Sequence, residues 1–303
     1  MSAFWSRWVI ILICFNLGIT LFLFVWGLQV KIPTQADGTS GHVWAHGVLR
    51  EGVKNLPKWW IILSASMFAC GITYLVLYPG FGRSQGTFLW TSHGEEARDT
   101  ATNELTLGPL MQAYSQQNVE DLSRDPTAIG IGQRLFIDNC AACHGREGHG
   151  NPLLGAPNLT DDDWLYGGDG LSIMTSIQDG RHGLMPPFGD AFGESGVENV
   201  ANYVLSLSRS PHDATKAAAG KPLFTVCSAC HGPDGKGNAL IGAPNLTDQI
   251  WLYGGDIATV EETIRKGHGG VMPAWRSRLP PRDARVIAAW VYAQSHTQTL
   301  APR

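Results

Sequence analysis

Two stretches of the chain are apolar and free of charge: no Asp, Glu, Lys or Arg occurs from Trp8 to Val30 or from Trp59 to Tyr78. At a rise of about 1.5 Å per residue, either run reaches about 30 Å as a helix, the thickness of a bilayer's hydrocarbon core. The pattern therefore predicts two membrane-spanning helices, over residues 8–30 and 59–78. A cleaved signal peptide fits the first run poorly. It exceeds the usual apolar core of about 7–15 residues, and Gln29-Val30-Lys31 is no small-residue cleavage site.

Loop charges set the expected orientation. Lys31, Arg50, Lys54 and Lys58 lie between the runs, against Arg7 before them and Arg83 after. Positive residues accumulate on the cytoplasmic side, so the loop is expected there, with both termini and everything beyond Tyr78 in the periplasm of a bacterial inner membrane. Trp59, Trp60, Tyr74 and Tyr78 suit aromatic belts at the two interfaces, or packing against partner helices.

From Arg83 to about Gly130 the polar pattern loses its period, and the segment 83–129 reads as a linker with at most a short helix around Leu105 to Tyr114. Beyond it, apolar positions recur at helical spacing in Gly130–Cys140, Val197–Ser208, Ala218–Cys227 and Asp283–Ser295. Between these helices lie Gly- and Pro-rich loops of little strand character.

Sliding the sequence against itself reveals an internal repeat with a register of 87 residues, the separation of Cys140 from Cys227. Gly155-Ala156-Pro157-Asn158-Leu159-Thr160-Asp161 returns as Gly242-Ala243-Pro244-Asn245-Leu246-Thr247-Asp248. Trp164-Leu165-Tyr166-Gly167-Gly168-Asp169 returns as Trp251-Leu252-Tyr253-Gly254-Gly255-Asp256. Each copy is close to the lower size limit for an independent core, which a bulky internal cofactor would relieve. Composition adds one exclusion: the net charge of -4 leaves no basic stripe for nucleic acid.

Each copy carries a C-x-x-C-H motif, Cys140-Ala141-Ala142-Cys143-His144 and Cys227-Ser228-Ala229-Cys230-His231. Two thiols three positions apart on one helical turn suit thioether attachment of a haem, and the next residue brings an imidazole under the iron. Zinc binding by two Cys pairs, or a pair of redox disulfides, are the competing readings. Zinc pairs usually stand about 15–20 residues apart, and neither rival needs a His after both pairs. For the sixth ligand, Met185-Pro186 and Met272-Pro273 occupy equivalent positions, whereas His182 aligns with Gly269 and His268 with Arg181. The repeat thus selects Met over His, and Met ligation raises the potential of a carrier haem. Either Met could reach its own copy's iron or its neighbour's.

Trp164, Tyr166, Trp251 and Tyr253 are candidates to line haem pockets or to pack the core. Arg181 is a candidate propionate partner or a solvated loop charge. His42, His46 and His149 lack partners at ligand spacing, and Cys14 and Cys70 read as small apolar residues within the hydrophobic runs.

Together these features resemble the dihaem subunit of cbb3-type cytochrome c oxidases. The likeness extends over nearly the whole chain: Asn55-Leu56-Pro57-Lys58-Trp59-Trp60 with Tyr74-Leu75-Val76-Leu77-Tyr78-Pro79-Gly80 in the membrane segment, then the tandem Asn-Leu-Thr-Asp, Trp-Leu-Tyr-Gly-Gly and Met-Pro elements. The resemblance implies a mainly α chain, with two transmembrane helices followed by two tandem class I cytochrome c domains. It divides into a membrane anchor with its cytoplasmic loop (1–82), a periplasmic linker (83–129) and haem domains over 130–210 and 211–303. Cys140, Cys143, His144, Met185, Cys227, Cys230, His231 and Met272 map onto the positions that hold two covalent haem c groups.

By this resemblance the chain relays electrons from a donor cytochrome c toward the monohaem cytochrome c subunit and the haem-copper subunit. The latter reduces O2 and pumps protons, so the catalytic centre lies on another chain. A departure is His268, which stands where the family carries arginine, as Arg181 does in the first copy. A dihaem carrier of another respiratory complex and a dihaem peroxidase are the alternative functions.

Overall fold

The computed structural model describes residues 2–53 and 56–296. Lys54 and Asn55, used above for the loop charge and the membrane motif, and the end of the second copy beyond residue 296 lie outside the described residues. The chain divides into two compact units, residues 1–106 and 107–303.

The first unit holds α1 (Ala3–Gln29) and α2 (Lys58–Leu77), both long and apolar enough to cross a membrane, with no fully buried residue in their most apolar stretches. They run antiparallel. Phe24 near the end of α1 lies 6.0 Å from Trp60 at the start of α2 and 5.7 Å from Phe68. After α2 the chain turns back, and Gly82 sits against Ser6 and Ile10 of α1. Between the helices, β1 (Thr39–Trp44) pairs antiparallel with β2 (Leu49–Gly52), setting Trp44 opposite Leu49 across a short 3₁₀ turn at Ala45–Gly47.

The segment read as linker is helical through most of its length. It forms α3 (Ser92–Tyr114), α4 (Val119–Leu122) and the start of α5 (Pro126–Asn139). The periodicity missed α3 because it buries only Gly108, Met111 and Tyr114, all near its end. Its remaining turns have no apolar stripe to read and form on the helix propensity of Glu, Ala and Arg. The start of α5 is fixed by Asp125, whose carboxylate accepts from the Thr127 and Ala128 amides, with Pro126 in the first turn, where no amide is needed.

The second unit continues with α6 (Ala141–His144), α7 (Gly170–Asp179), β3 (Arg181–Met185) and α8 (Gly189–Leu207), which bends at Gly193. Then follow α9 (Ala214–Gly220), α10 (Phe224–His231), α11 (Ile257–Lys266), β4 (His268–Met272) and α12 (Pro281–Ser295). Strands β3 and β4 pair antiparallel, Arg181 opposite Met272 and Met185 opposite His268. This short ladder joins the two copies.

Packing does not follow the order of the chain. One core gathers Phe136 of α5 and Ile173 and Ile177 of α7 from the first copy with Val286, Ile287 and Trp290 of α12 from the second. The other gathers Val197, Val200 and Val204 of α8 from the first copy with Phe224 of α10 and Val260 and Ile264 of α11 from the second. Each copy therefore lends its last helix to the other. The crossing occurs at the ladder: past it, the Trp275 amide donates to the Ile177 carbonyl at 3.0 Å, and the equivalent Phe188 amide donates to Ile264 at 2.9 Å. Glycine permits the helices to touch. Gly132 of α5 lies against the Val286 backbone of α12, and Gly220 of α9 against Asn199 of α8, with no space for a Cβ at either.

Candidate haem-binding site

In both copies the C-x-x-C-H residues close a helix. Cys140 links α5 to α6 and is half-buried, Cys143 is exposed and His144 ends the turn, buried. Cys227, Cys230 and His231 stand in the same way in α10, with His231 buried. Gly145 and Gly232 follow with φ of 75° and 79°, a left-handed geometry that glycine adopts without strain and that turns the chain away from each imidazole.

The imidazoles are oriented by proline carbonyls. His144 Nδ1 lies 3.2 Å from the Pro157 carbonyl, and His231 Nδ1 lies 3.0 Å from that of Pro244. A carbonyl only accepts, so Nδ1 carries the proton and Nε2 keeps its lone pair for a metal. Burial reinforces this by holding the His144 pKa below its ordinary value, against the Pro157 contact that raises it. The sequence reading passed over these prolines as acceptors, although their signal was present: the repeated Gly-Ala-Pro-Asn element puts a proline 13 residues after each histidine.

The methionines end the paired strands. Met185 packs with Cys227 on the core of α8, α10 and α11, and Met272 packs with Cys140 on the core of α5, α7 and α12. Each C-x-x-C-H motif is thus grouped with the Met of the other copy. The two aromatic pairs divide likewise: Trp164 joins the Cys140 core and Trp251 the Cys227 core, while Tyr166 lies against Gly242 and Tyr253 against Gly155, each tyrosine reaching the loop of the other copy.

Arg181 is neither a free loop charge nor aimed only at a ligand. Its Nε donates to Ser176 Oγ at 2.9 Å, and its guanidinium sits 4.6 Å over the Tyr166 ring. His268 preserves the shape without the permanent charge, stacking 3.8 Å from the Tyr253 ring at 8° and bonding Thr263, the counterpart of Ser176, through Nε2 at 3.1 Å.

These residues fit a haem. Each half presents a buried imidazole with an available Nε2, two thiols three positions apart and a thioether, and Tyr166 Oη is buried with no protein partner. Burial pushes the Cys140 thiol up to about 11 and raises that of Cys227 as well. Among the described residues no three His, Cys, Asp or Glu side chains cluster as metal ligands, so the Cys pairs do not join into a zinc site. His42 stacks on Trp44, and His149 faces Glu147 at 3.3 Å.

The fold and the repeated motif define a cytochrome c with tandem domains. Comparison with known proteins narrows this. The family described as cytochrome c oxidase, cbb3-type, subunit III matches residues 127–204 and again 215–291, and the N-terminal domain of cytochrome oxidase-cbb3, FixP, matches residues 36–85. The chain is 42% identical over 300 residues to the cbb3-type cytochrome c oxidase subunit CcoP of Rubrivivax gelatinosus, covering 99% of this chain and 97% of that one. It is 39% identical to the subunit FixP of Bradyrhizobium sp. (strain ORS 278), over 84% of this chain and 93% of the relative. To the CcoP of Cereibacter sphaeroides it is 36% identical, over 88% and 98%. The chain belongs to the family of subunit III of cbb3-type cytochrome c oxidases. Its cytochrome c domains imply haem c and an electron-transfer role within that redox enzyme.

Proposed function

We propose that this chain holds two haem c groups and relays electrons from a donor cytochrome c to the monohaem and haem-copper subunits of the oxidase. Cys140 and Cys143 hold one haem by thioethers and Cys227 and Cys230 the other. The observation that carries this reading is that Cys140 shares a core with Met272 and Cys227 with Met185, each motif beside the methionine of the other copy, while a proline carbonyl orients each histidine. His144 and Met272 would then hold the iron of the first haem, and His231 and Met185 that of the second.

When bound, such a group supplies a one-electron couple. The chain's own residues would offer each iron an imidazole and a thioether, ligands suited to electron transfer, and the two apolar cores exclude water. The β3–β4 ladder fixes both methionines through backbone, Met272 opposite Arg181 and Met185 opposite His268. Helices α1 and α2 are the membrane anchor, with residues 30–57 in the cytoplasm and the haem-binding unit in the periplasm, an orientation supported by Lys31, Arg50 and Lys54 in the loop and Lys58 at the start of α2.

The test is mild-detergent purification of the tagged chain from its host, with haem quantitation and O2 uptake on a reduced cytochrome donor. Two covalent haems per chain, co-purification with a monohaem cytochrome and a haem-copper subunit, and O2 consumption are expected. A chain that arrives alone with two haems points to another respiratory complex, and peroxide turnover by the purified chain points to a peroxidase.

A further inference from the structure

Helix α1 has an amide at its midpoint. Between Val9 and Val25 the only side chains bearing an amide or hydroxyl are Asn16 and Thr20, and Asn16 is the central residue of Ala3–Gln29. Thr20 is satisfied inside the helix, its Oγ1 donating to the Asn16 carbonyl at 2.5 Å. Asn16 is only half served. Its Nδ2 donates to the Leu12 carbonyl at 2.7 Å, and among the described residues its Oδ1 and second amide hydrogen have no partner. In the middle of a bilayer an acyl chain offers no atom to complete the set.

Helix α2 does not complete it either. Leu17 lines a groove with Ile72, Leu75 and Val76, and Phe24 meets Trp60 and Phe68. These mark the stripe of α1 that faces α2. Successive helix residues are about 100° apart, so Asn16 stands about a quarter turn from Leu17 and is exposed. Leu23, in line with Asn16 to within about 20°, is exposed as well.

We propose that the Asn16 face of α1 is a docking surface for a transmembrane helix of another subunit of the same oxidase, which presents a hydrogen-bonding side chain at mid-membrane depth. This rests on the reading of the chain as a membrane-anchored oxidase subunit, and it is the family's standing as one numbered subunit of a complex that favours a foreign helix over a second copy. Polar side chains of this kind hold membrane helices together where burial of apolar surface supplies no drive.

The test uses the full chain in the assembled oxidase. A photo-crosslinking residue is placed at Leu23, on the Asn16 face, or at Val25, two residues on and about 200° round at nearly the same depth. The expected result is an adduct with a second oxidase subunit from position 23 and none from position 25. Asn16→Leu is expected to lower the fraction of the chain retained on the oxidase in detergent by about fivefold to tenfold, with Asn16→Gln keeping most of it. Adducts only with lipid or with a second copy of this chain, or full retention of Asn16→Leu, overturn the proposal. If the wild-type preparation contains the oxidase subunits and consumes O2 in those cases, the function stands and the docking face alone is wrong. A wild-type chain that brings down no oxidase subunit overturns both.

Discussion

Gly132 of α5 lies against the backbone of Val286 in α12, 154 residues later and in the other copy of the repeat, and no Cβ fits between them. Its counterpart is the approach of Gly220 to Asn199, so the two halves are closed by the same helix crossing, each made with a helix borrowed from the other.

Gly132→Ala is accordingly expected to destabilise the unit of residues 107–303 by about 1–3 kcal/mol, because the new methyl must push α12 from α5. Gly130→Ala, two residues away in the same helix with nothing within reach of its Cβ, is expected to be neutral or to stabilise by about 0.5–1 kcal/mol through helix propensity. Denaturant midpoints of the two variants compare the effects directly. Similar midpoints would mean that the crossing is not closely packed.

Asp125→Ala removes the cap of α5 and the acceptor of the Tyr114 hydroxyl, which lies 2.8 Å away. A loss of about 1–2 kcal/mol is expected, with Asp125→Asn losing less. The Tyr114 hydrogen bond, then the Thr127 and Ala128 amides, hold this carboxyl below its ordinary value. The stability it adds is therefore complete above the ordinary carboxylate value and vanishes as pH falls through the depressed folded one. Acid titration of wild type and variant should converge at the low end.

Asp163 behaves in the opposite sense. Burial, then the nearby carboxylates of Asp248 and Asp161, push it up to about 6. The folded chain holds a proton there that the unfolded chain releases, so stability is greatest below the ordinary value of 3.8 and is lost as pH rises through about 6. Asp163→Asn should raise the melting temperature at a pH of about 7.5 by a few degrees, and the gap should close as pH falls toward about 4. A gap that widens on acidification would contradict the assignment.

Much of this molecule was legible in its sequence, and what was hidden has physical causes. The apolar helices α1 and α2 were plain because no charge interrupts residues 8–30 or 59–78, and the haem motifs were plain because they occur twice at one register. Helix α3 was hidden because its buried residues fall in its last turns. The hairpin between the spans escaped notice because Val43, Trp44 and Leu49 remain exposed and trace no alternation of buried and open positions. The exchange between copies lay beyond sequence in a deeper sense. Met185-Pro186 and Met272-Pro273 hold equivalent places in the repeat, so spacing along the chain does not say which copy's core each joins. Only the pairing of β3 with β4 and the short crossing to Phe188 and Trp275 decide which helix each receives.

The most direct measurement is made on the full chain with Cys227 and Cys230 replaced by alanine, leaving only the Cys140 and Cys143 attachment. The near-infrared band of methionine-ligated ferric haem is recorded with Met272→Leu or Met185→Leu added. The account predicts that Met272→Leu abolishes the band and Met185→Leu leaves it. Loss of the band with Met185→Leu and its survival with Met272→Leu would show that each copy ligates its own haem, and would contradict the exchange on which this account rests.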